Sequence, residues 1–140
     1  MTEILIKRLS KNITLPKYET DGSSGMDLAA NIENEIEIEP GKSLIIPTGL
    51  AVSIPKNFEI QIRPRSGLAA KKQISVLNTP GTIDADYRGE LKVILVNLGE
   101  NIFKIQKGLR IAQMVLCPVI KATLKEVDTL EETKRGTGGF

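Results

Sequence analysis

The chain has 140 residues, 41% of them hydrophobic, with 19 basic residues against 17 acidic, one cysteine and no histidine. That length suggests one domain, and the apolar content supports a packed core and argues against disorder. The balanced charge lacks the concentrated basic face of a nucleic-acid binder. The missing histidines exclude Ser-His and Cys-His nucleophile pairs, histidine zinc sites and the zinc deaminase signature.

The first eight residues, Met1 to Arg8, have no long apolar core and no cleavage pattern of a signal peptide. No stretch approaches 18 apolar residues, so a cytoplasmic location is expected, with neither a membrane nor nucleic acid as partner. Ile4 and Ile6 alternate with polar neighbours as a strand would. Gly25-Met26-Asp27-Leu28-Ala29-Ala30 then sets an acid in an apolar context. Burying Asp27 is costly unless it is hydrogen-bonded, so it either supports local backbone or holds a metal-bound water. Ile32, Ile36 and Ile38 alternate with polar residues through Glu39. Gly41-Lys42-Ser43 imitates the end of a phosphate-binding loop, but the position that motif reserves for its first glycine is Ile36. Pro40-Gly41 is therefore read as a turn between strands.

Phe58 to Arg63 is a clean period-2 run, apolar on one face and polar on the other. After it, Pro64 sets the exit, Gly67 permits close backbone approach, and Arg65 and Ser66 supply donors. A short helix is expected over Ser66 to Lys72 with Ser66 as its N-cap. Backbone N–H groups at a helix start plus a guanidinium suit phosphate oxygens; a plain turn with a surface arginine is the alternative. Pro80 to Gly89 reads as a glycine-bounded loop leading into a strand. Asp84 and Asp86 are turn formers on one view. On another, a carboxylate beside Tyr87 gives a sugar-phosphate hydrolase its base and a flat wall for the sugar. With no histidine, any general base must be a carboxylate, or less readily Lys or Tyr.

Leu91 to Leu98 and Ile111 to Ile120 are more continuously apolar and predict strands buried on both faces. Gln113 interrupts the second and should point at something polar. Cys117, between Leu116 and Pro118, reads as a buried core thiol. Three Phe, two Tyr and no Trp leave the core to Ile, Leu and Val. From Glu131 the chain has almost no apolar content until Phe140, and three of its last five residues are glycine. This is read as a flexible arm ending in an aromatic that a frayed tail would not need. Frequent turn residues leave room for at most one short helix. The fold expected is all-β, a jelly-roll-like barrel or sandwich over 1–130, followed by an arm over 131–140.

Five segments, taken in order, resemble the motifs of the trimeric dUTP diphosphatase (dUTPase) family. They are Gly25-Met26-Asp27-Leu28, Pro64-Arg65-Ser66-Gly67-Leu68, Asn78 through Gly89, Arg110-Ile111-Ala112-Gln113-Met114, and Arg135-Gly136-Thr137-Gly138-Gly139-Phe140. The resemblance covers essentially the whole chain, and its third and fifth motifs are highly specific. It implies a β jelly roll assembled as a homotrimer with active sites at subunit interfaces. The implied reaction converts dUTP to dUMP and pyrophosphate, with Mg²⁺ carried on the triphosphate. Such an activity would limit uracil incorporation into DNA and supply dUMP for dTMP synthesis.

By the same resemblance Asp84 activates the attacking water, and Tyr87 packs on the deoxyribose, leaving no room for a 2′-hydroxyl. Asn78 and the backbone of Gly81, Thr82 and Ile83 read uracil. Arg65, Ser66 and Gln113 meet the phosphates, Gly67 is a further substrate-binding position, and Asp27 reaches the metal only through water. Arg135 and Phe140 belong to an arm that closes the site, Phe140 stacking on the base. Asp86 remains a turn residue. Family tails usually run on past that phenylalanine in a short Gly/Ser/Thr stretch, whereas this sequence stops at Phe140. The dCTP deaminases share the fold, but they carry Glu in place of Asp84 and lack the glycine-rich arm. A non-catalytic regulator would be expected to lose Asp84, Arg65 or the arm.

Overall fold

A computed structural model describes residues 1–140. In chain order the elements are β1 (Leu5–Arg8), β2 (Met26–Ala29), β3 (Ile36–Ile38), β4 (Ser43–Ser53), β5 (Phe58–Arg63), α1 (Ser66–Lys72), β6 (Ile74–Val76), β7 (Gly81–Ile83), β8 (Glu90–Asn97), β9 (Phe103–Ile105) and β10 (Arg110–Pro118). Every strand pairing is antiparallel. One sheet runs β1-β4-β8-β6 and a second runs β2-β10-β5-β7, with β3 and β9 forming a separate pair. This is the expected jelly-roll-like β architecture with one short helix. No helix is long and apolar enough to cross a membrane.

The core is aliphatic, as the composition requires. Leu28, Ile46, Ile60, Leu91, Leu95, Ile105 and Ile111 are essentially without solvent exposure, and Phe103 is the only buried aromatic. Two polar side chains are buried with them, and both are satisfied. Thr48 Oγ1 donates to the Leu91 carbonyl at 2.6 Å. Asn97 Nδ2 donates to the carbonyls of Ile38 at 2.9 Å and Asn101 at 2.8 Å, fastening the β3–β9 pair to the end of β8. Thr48 sits where the β4–β8 register shifts, between Pro47 and Ala51. There Gly49 takes φ +72° and its N–H donates to Glu90 Oε2 at 2.8 Å.

Several expectations need correction. On β8, Leu91, Val93 and Leu95 are buried, but Lys92 is exposed and Ile94 only half-buried. Ile45, its cross-strand partner, is 62% exposed, so the outer face of this sheet is left partly open. Only Ile36–Ile38 of the Ile32 to Glu39 run forms a strand. Cys117 is half-buried rather than a core thiol. It pairs with Glu59 in a row where Val115 pairs with Gln61 and Gln113 with Arg63. Cross-strand partners share a face, so Cys117 belongs to the outer, polar face, with Arg63 Nη2 3.6 Å from its Sγ. Helix α1 has the expected bounds, but Arg65 is its N-cap residue and makes no side-chain cap bond. The Arg65 carbonyl accepts the first helical bond, from Ala69 N at 3.0 Å, which places Ser66 inside the helix. Gly41 takes φ +78° in the turn before β4, as read from the sequence.

Candidate active site

The outer face of the β2-β10-β5-β7 sheet carries the first group of predicted residues. Gln113 on β10 lies between Asp27 on β2 and Arg63 on β5. Its Nε2 donates to the Pro64 carbonyl at 3.0 Å, which supplies the polar partner expected of it and pins the strand exit. Gly25 allows this approach: a Cβ there would lie 2.5 Å from Gln113 Oε1 and 3.2 Å from the Met114 carbonyl. Arg65 leaves the same exit. Its Nε donates to Asp27 Oδ1 at 3.1 Å, and its Nη1 donates to the Arg110 carbonyl at 3.3 Å, leaving Nη2 without a partner. Asp27 is 21% exposed, and this ion pair is what makes its burial tolerable. Ser66 and Gly67 begin α1 beside it, and no side chain caps that helix start. Guanidinium, amide and unpaired helical N–H groups here form one donor-rich corner suited to an anion.

The second group surrounds β7, which lies inside the segment read as a loop. This short strand is the edge of its sheet, pairing only with β5 in the register Gly81↔Ile62, Thr82↔Gln61 and Ile83↔Ile60. Its other edge therefore presents backbone donors and acceptors that no strand engages. The Asn78 side chain lies over Gly81, where a Cβ would stand 3.1 Å from Asn78 Nδ2. Beyond the strand, Thr82, Ile83, Asp84, Tyr87, Glu90 and Lys92 line a cleft of about 190 Å³. Tyr87 is held at both ends, its N–H donating to the Asp84 carbonyl at 3.1 Å and its phenol to the Glu90 carbonyl at 2.9 Å. Arg88 Nη1 clamps the loop through the Ala85 carbonyl at 2.6 Å. A Cβ on Gly89 would collide with the Tyr87 phenol, falling 2.9 Å from its Cε1, so that glycine makes room for the ring.

The two groups do not meet within one chain. The β7 segment runs from Gly81, opposite Ile62, to Ile83, opposite Ile60, so Asp84 leaves toward the Glu59 end of β5. Arg65 leaves from the Arg63 end. The four residue steps from Glu59 to Arg63 span about 13 Å at roughly 3.3 Å each. The arm is apart from both. Residues 121–140 are all exposed. The hydrogen bonds of Arg135 and its neighbours are local, with Nε donating to the Gly138 carbonyl at 2.8 Å and Gly136 N to Thr133 Oγ1 at 3.0 Å. Phe140 is fully exposed.

Two larger clefts lie outside the β7 corner. One of about 280 Å³ opens between residues 12–17 and the β2–β10 pair, with Asp27 and Arg110 on its wall. The other, about 330 Å³, is lined by Lys71, Lys72 and Lys104 and contains no predicted residue. Sequence reasoning gave no role to Arg110, Glu19 or Glu90. Arg110 bonds Asp27, Glu19 bonds Arg110, and Glu90 anchors Tyr87 and Gly49. Their positions depend on register and turns that a linear pattern does not display.

A family model described as dUTPase matches residues 11–140. The deoxyuridine 5′-triphosphate nucleotidohydrolase of Rickettsia bellii (strain OSU 85-389) is 57% identical over 141 residues, spanning 100% of this chain and 94% of that protein. The protein of the same name from Gloeothece citriformis (strain PCC 7424) is 55% identical over 138 residues, spanning 99% of this chain and 94% of its own length. Among solved structures, a variant of the Staphylococcus bacteriophage 80alpha dUTPase with dUpNHpp matches at TM-score 0.88 and 27% identity. That match covers 100% of this chain and 97% of the phage chain.

Proposed function

The chain belongs to the dUTPase family and hydrolyses dUTP, and we propose that Asp84 activates the water in a site completed by other copies of the chain. The observation that carries this reading is the β7 corner: a carboxylate and an anchored Tyr87 share one cleft beside an open strand edge. The reaction delivers dUMP and pyrophosphate. In a chain without histidine the attacking water needs a carboxylate, and Glu90 is already committed to Gly49 N at 2.8 Å. Asp84 has no such commitment through its side chain.

Recognition follows from the neighbours of Asp84. The open edge of β7, with Asn78 over Gly81, offers backbone groups from Gly81, Thr82 and Ile83 to the uracil edge. Cytosine reverses donor and acceptor there and leaves buried polar groups unpaired, which can reject a substrate by roughly 10⁴. Tyr87, held at both ends, is the wall for the deoxyribose, and a 2′-hydroxyl would have to displace it. At the other corner, the unpartnered Nη2 of Arg65, the α1 start at Ser66 and Gly67, and Gln113 receive the phosphates.

Mg²⁺ fits as an ion that arrives on the triphosphate. Asp27 is the carboxylate at the phosphate corner, and two guanidiniums already hold it. It suits contact through water, as Mg²⁺ keeps several waters and binds few protein carboxylates. When bound, the ion would offset the negative charge of the phosphates.

A homotrimer with shared sites would bring together the two corners that β5 separates and would cover exposed apolar surface. Ile120, Leu124 and Leu130 are each more than 80% exposed in the protomer, as expected of a segment that docks on another copy. The 131–140 arm, through Arg135 and Phe140, then closes the site.

Pyrophosphate release should be on the order of 10⁴-fold faster from dUTP than from dCTP at equal low concentration. UTP should also be strongly disfavoured, and comparable rates for all three nucleotides would sink the uracil and deoxyribose assignments. Gly89→Ala should narrow the dUTP-over-UTP preference by displacing Tyr87, with a cost to kcat/KM approaching about 10². An unaltered preference would remove Tyr87 from sugar discrimination.

A further inference from the structure

We propose that Arg110 is a positioning residue for the phosphate corner, keeping Arg65 open toward substrate by occupying the second oxygen of Asp27. The inference rests on the assignment of Arg65 to the phosphates. Its first support is a bulge. Arg110 pairs with Ala29, Ala112 with Leu28 and Gln113 with Asp27, so two steps along β10 answer one along β2, and Ile111 is the extra residue. Ile111 and Ala112 are consecutive, yet both are buried, at 1% and 0% exposure. In an unbroken strand Arg110 would share the core-facing side with Ala112. The bulge turns it onto the outer face, beside Gln113 and diagonal to Asp27.

The second support is how the contacts divide. Asp27 gives Oδ1 to Arg65 Nε at 3.1 Å and Oδ2 to Arg110 Nη1 at 3.5 Å. The Arg110 carbonyl also accepts from Arg65 Nη1 at 3.3 Å, so one residue grips Arg65 by two routes. A carboxylate and a guanidinium left to themselves favour a two-bond fork. If Asp27 turned both oxygens to Arg65, that fork would compete for the Nη2 edge on which phosphate contact depends. Arg110 prevents this, and Glu19 braces it from behind, its Oε1 lying 3.5 Å from Arg110 Nη2. Stability does not account for the arrangement: Arg110 is 52% and Glu19 43% exposed, and ion pairs that open contribute little to folding.

The test compares Arg110→Met with the parent chain in its native assembly. It reads melting temperature, kcat, KM, and the affinities for dUMP and for a non-hydrolysable dUTP analogue. Analogue affinity should fall about tenfold, the equivalent of one charge-assisted contact, with dUMP affinity and melting little changed. Arg110→Lys should recover only part of the loss, because an ammonium lacks the fork that meets Asp27 and Glu19 together. Glu19→Gln should weaken the analogue less, and should add nothing in the Arg110→Met background. Equal weakening of dUMP and analogue, or no weakening, overturns the inference. Arg65→Ala is the control. If it weakens analogue binding while Arg110→Met does not, the positioning role alone fails. If Arg65→Ala leaves binding intact, the phosphate assignment fails and takes the positioning role with it.

Discussion

Asp84→Asn should lower kcat for dUTP by about 10²–10⁴-fold, the usual contribution of a positioned general base, while a non-hydrolysable analogue still binds. The substitution is nearly isosteric. The loop around it is held by groups other than that side chain: the Asp84 carbonyl accepts from Tyr87 N, and Arg88 clamps the Ala85 carbonyl. The cleft should therefore keep its shape and lose only its base. Two other carboxylates are near in sequence and provide internal controls. Glu90 also lines the cleft, but its Oε2 is bonded to Gly49 N and its carbonyl to the Tyr87 phenol. Glu90→Gln keeps that backbone carbonyl and an oxygen to accept from Gly49 N, so both turnover and sugar preference should stay near the parent level. Asp86 does not line the cleft, and Asp86→Asn should leave turnover near the parent level. Steady-state pyrophosphate release with analogue titration separates Asp84 from both controls. A fully active Asp84→Asn chain would move the base elsewhere.

Legibility in the sequence followed the physical regularity of each element. β5 was readable to its ends because Phe58 to Arg63 alternates without a break, and α1 was readable because Pro64 and the following small residues frame it. β4 was not, since Pro47 and Gly49 imitate turn signals inside an 11-residue strand whose irregularity is absorbed by the buried Thr48 hydroxyl and Glu90. β7 was hidden for a related reason. A three-residue edge strand starting at glycine has too little pattern to register, although its unpaired edge is the part proposed to read a base. Cys117 was misplaced because an apolar run does not reveal which alternate residues face outward. The bulge at Ile111 escaped for the same reason: one extra residue changes the face of Arg110 without altering composition.

The residues proposed for chemistry were legible individually, and as a set only through family resemblance. No local pattern joins Asp84 to Arg65. The fold itself sends them to opposite ends of β5, so on the proposed reading their cooperation depends on how copies assemble.

That dependence makes the arm the sharpest test of the assembled site. Removing residues 131–140 should cut kcat/KM by about 10², the scale of losing a closing segment that orients substrate and excludes water. Melting should hardly move, because every residue from 121 to 140 is exposed and the arm buries nothing in its own protomer. An unaffected rate would reduce Phe140 and Arg135 to an ordinary tail. The same deletion also tests where the arm acts. If the arm closes a site whose Asp84 belongs to another copy, arm-deleted chains and Asp84→Asn chains, refolded together at equal ratio, should complement. A site is then competent when its base comes from an arm-deleted chain and its arm from an Asp84→Asn chain, which random mixing in a cyclic trimer gives in about a quarter of sites. If instead each chain closes its own site, mixing two inactive chains restores nothing. Recovery near that fraction would show both that the site is shared and that the arm crosses between copies. Absence of recovery in a mixed trimer shown to contain both chains would confine the arm to the copy whose Asp84 it serves.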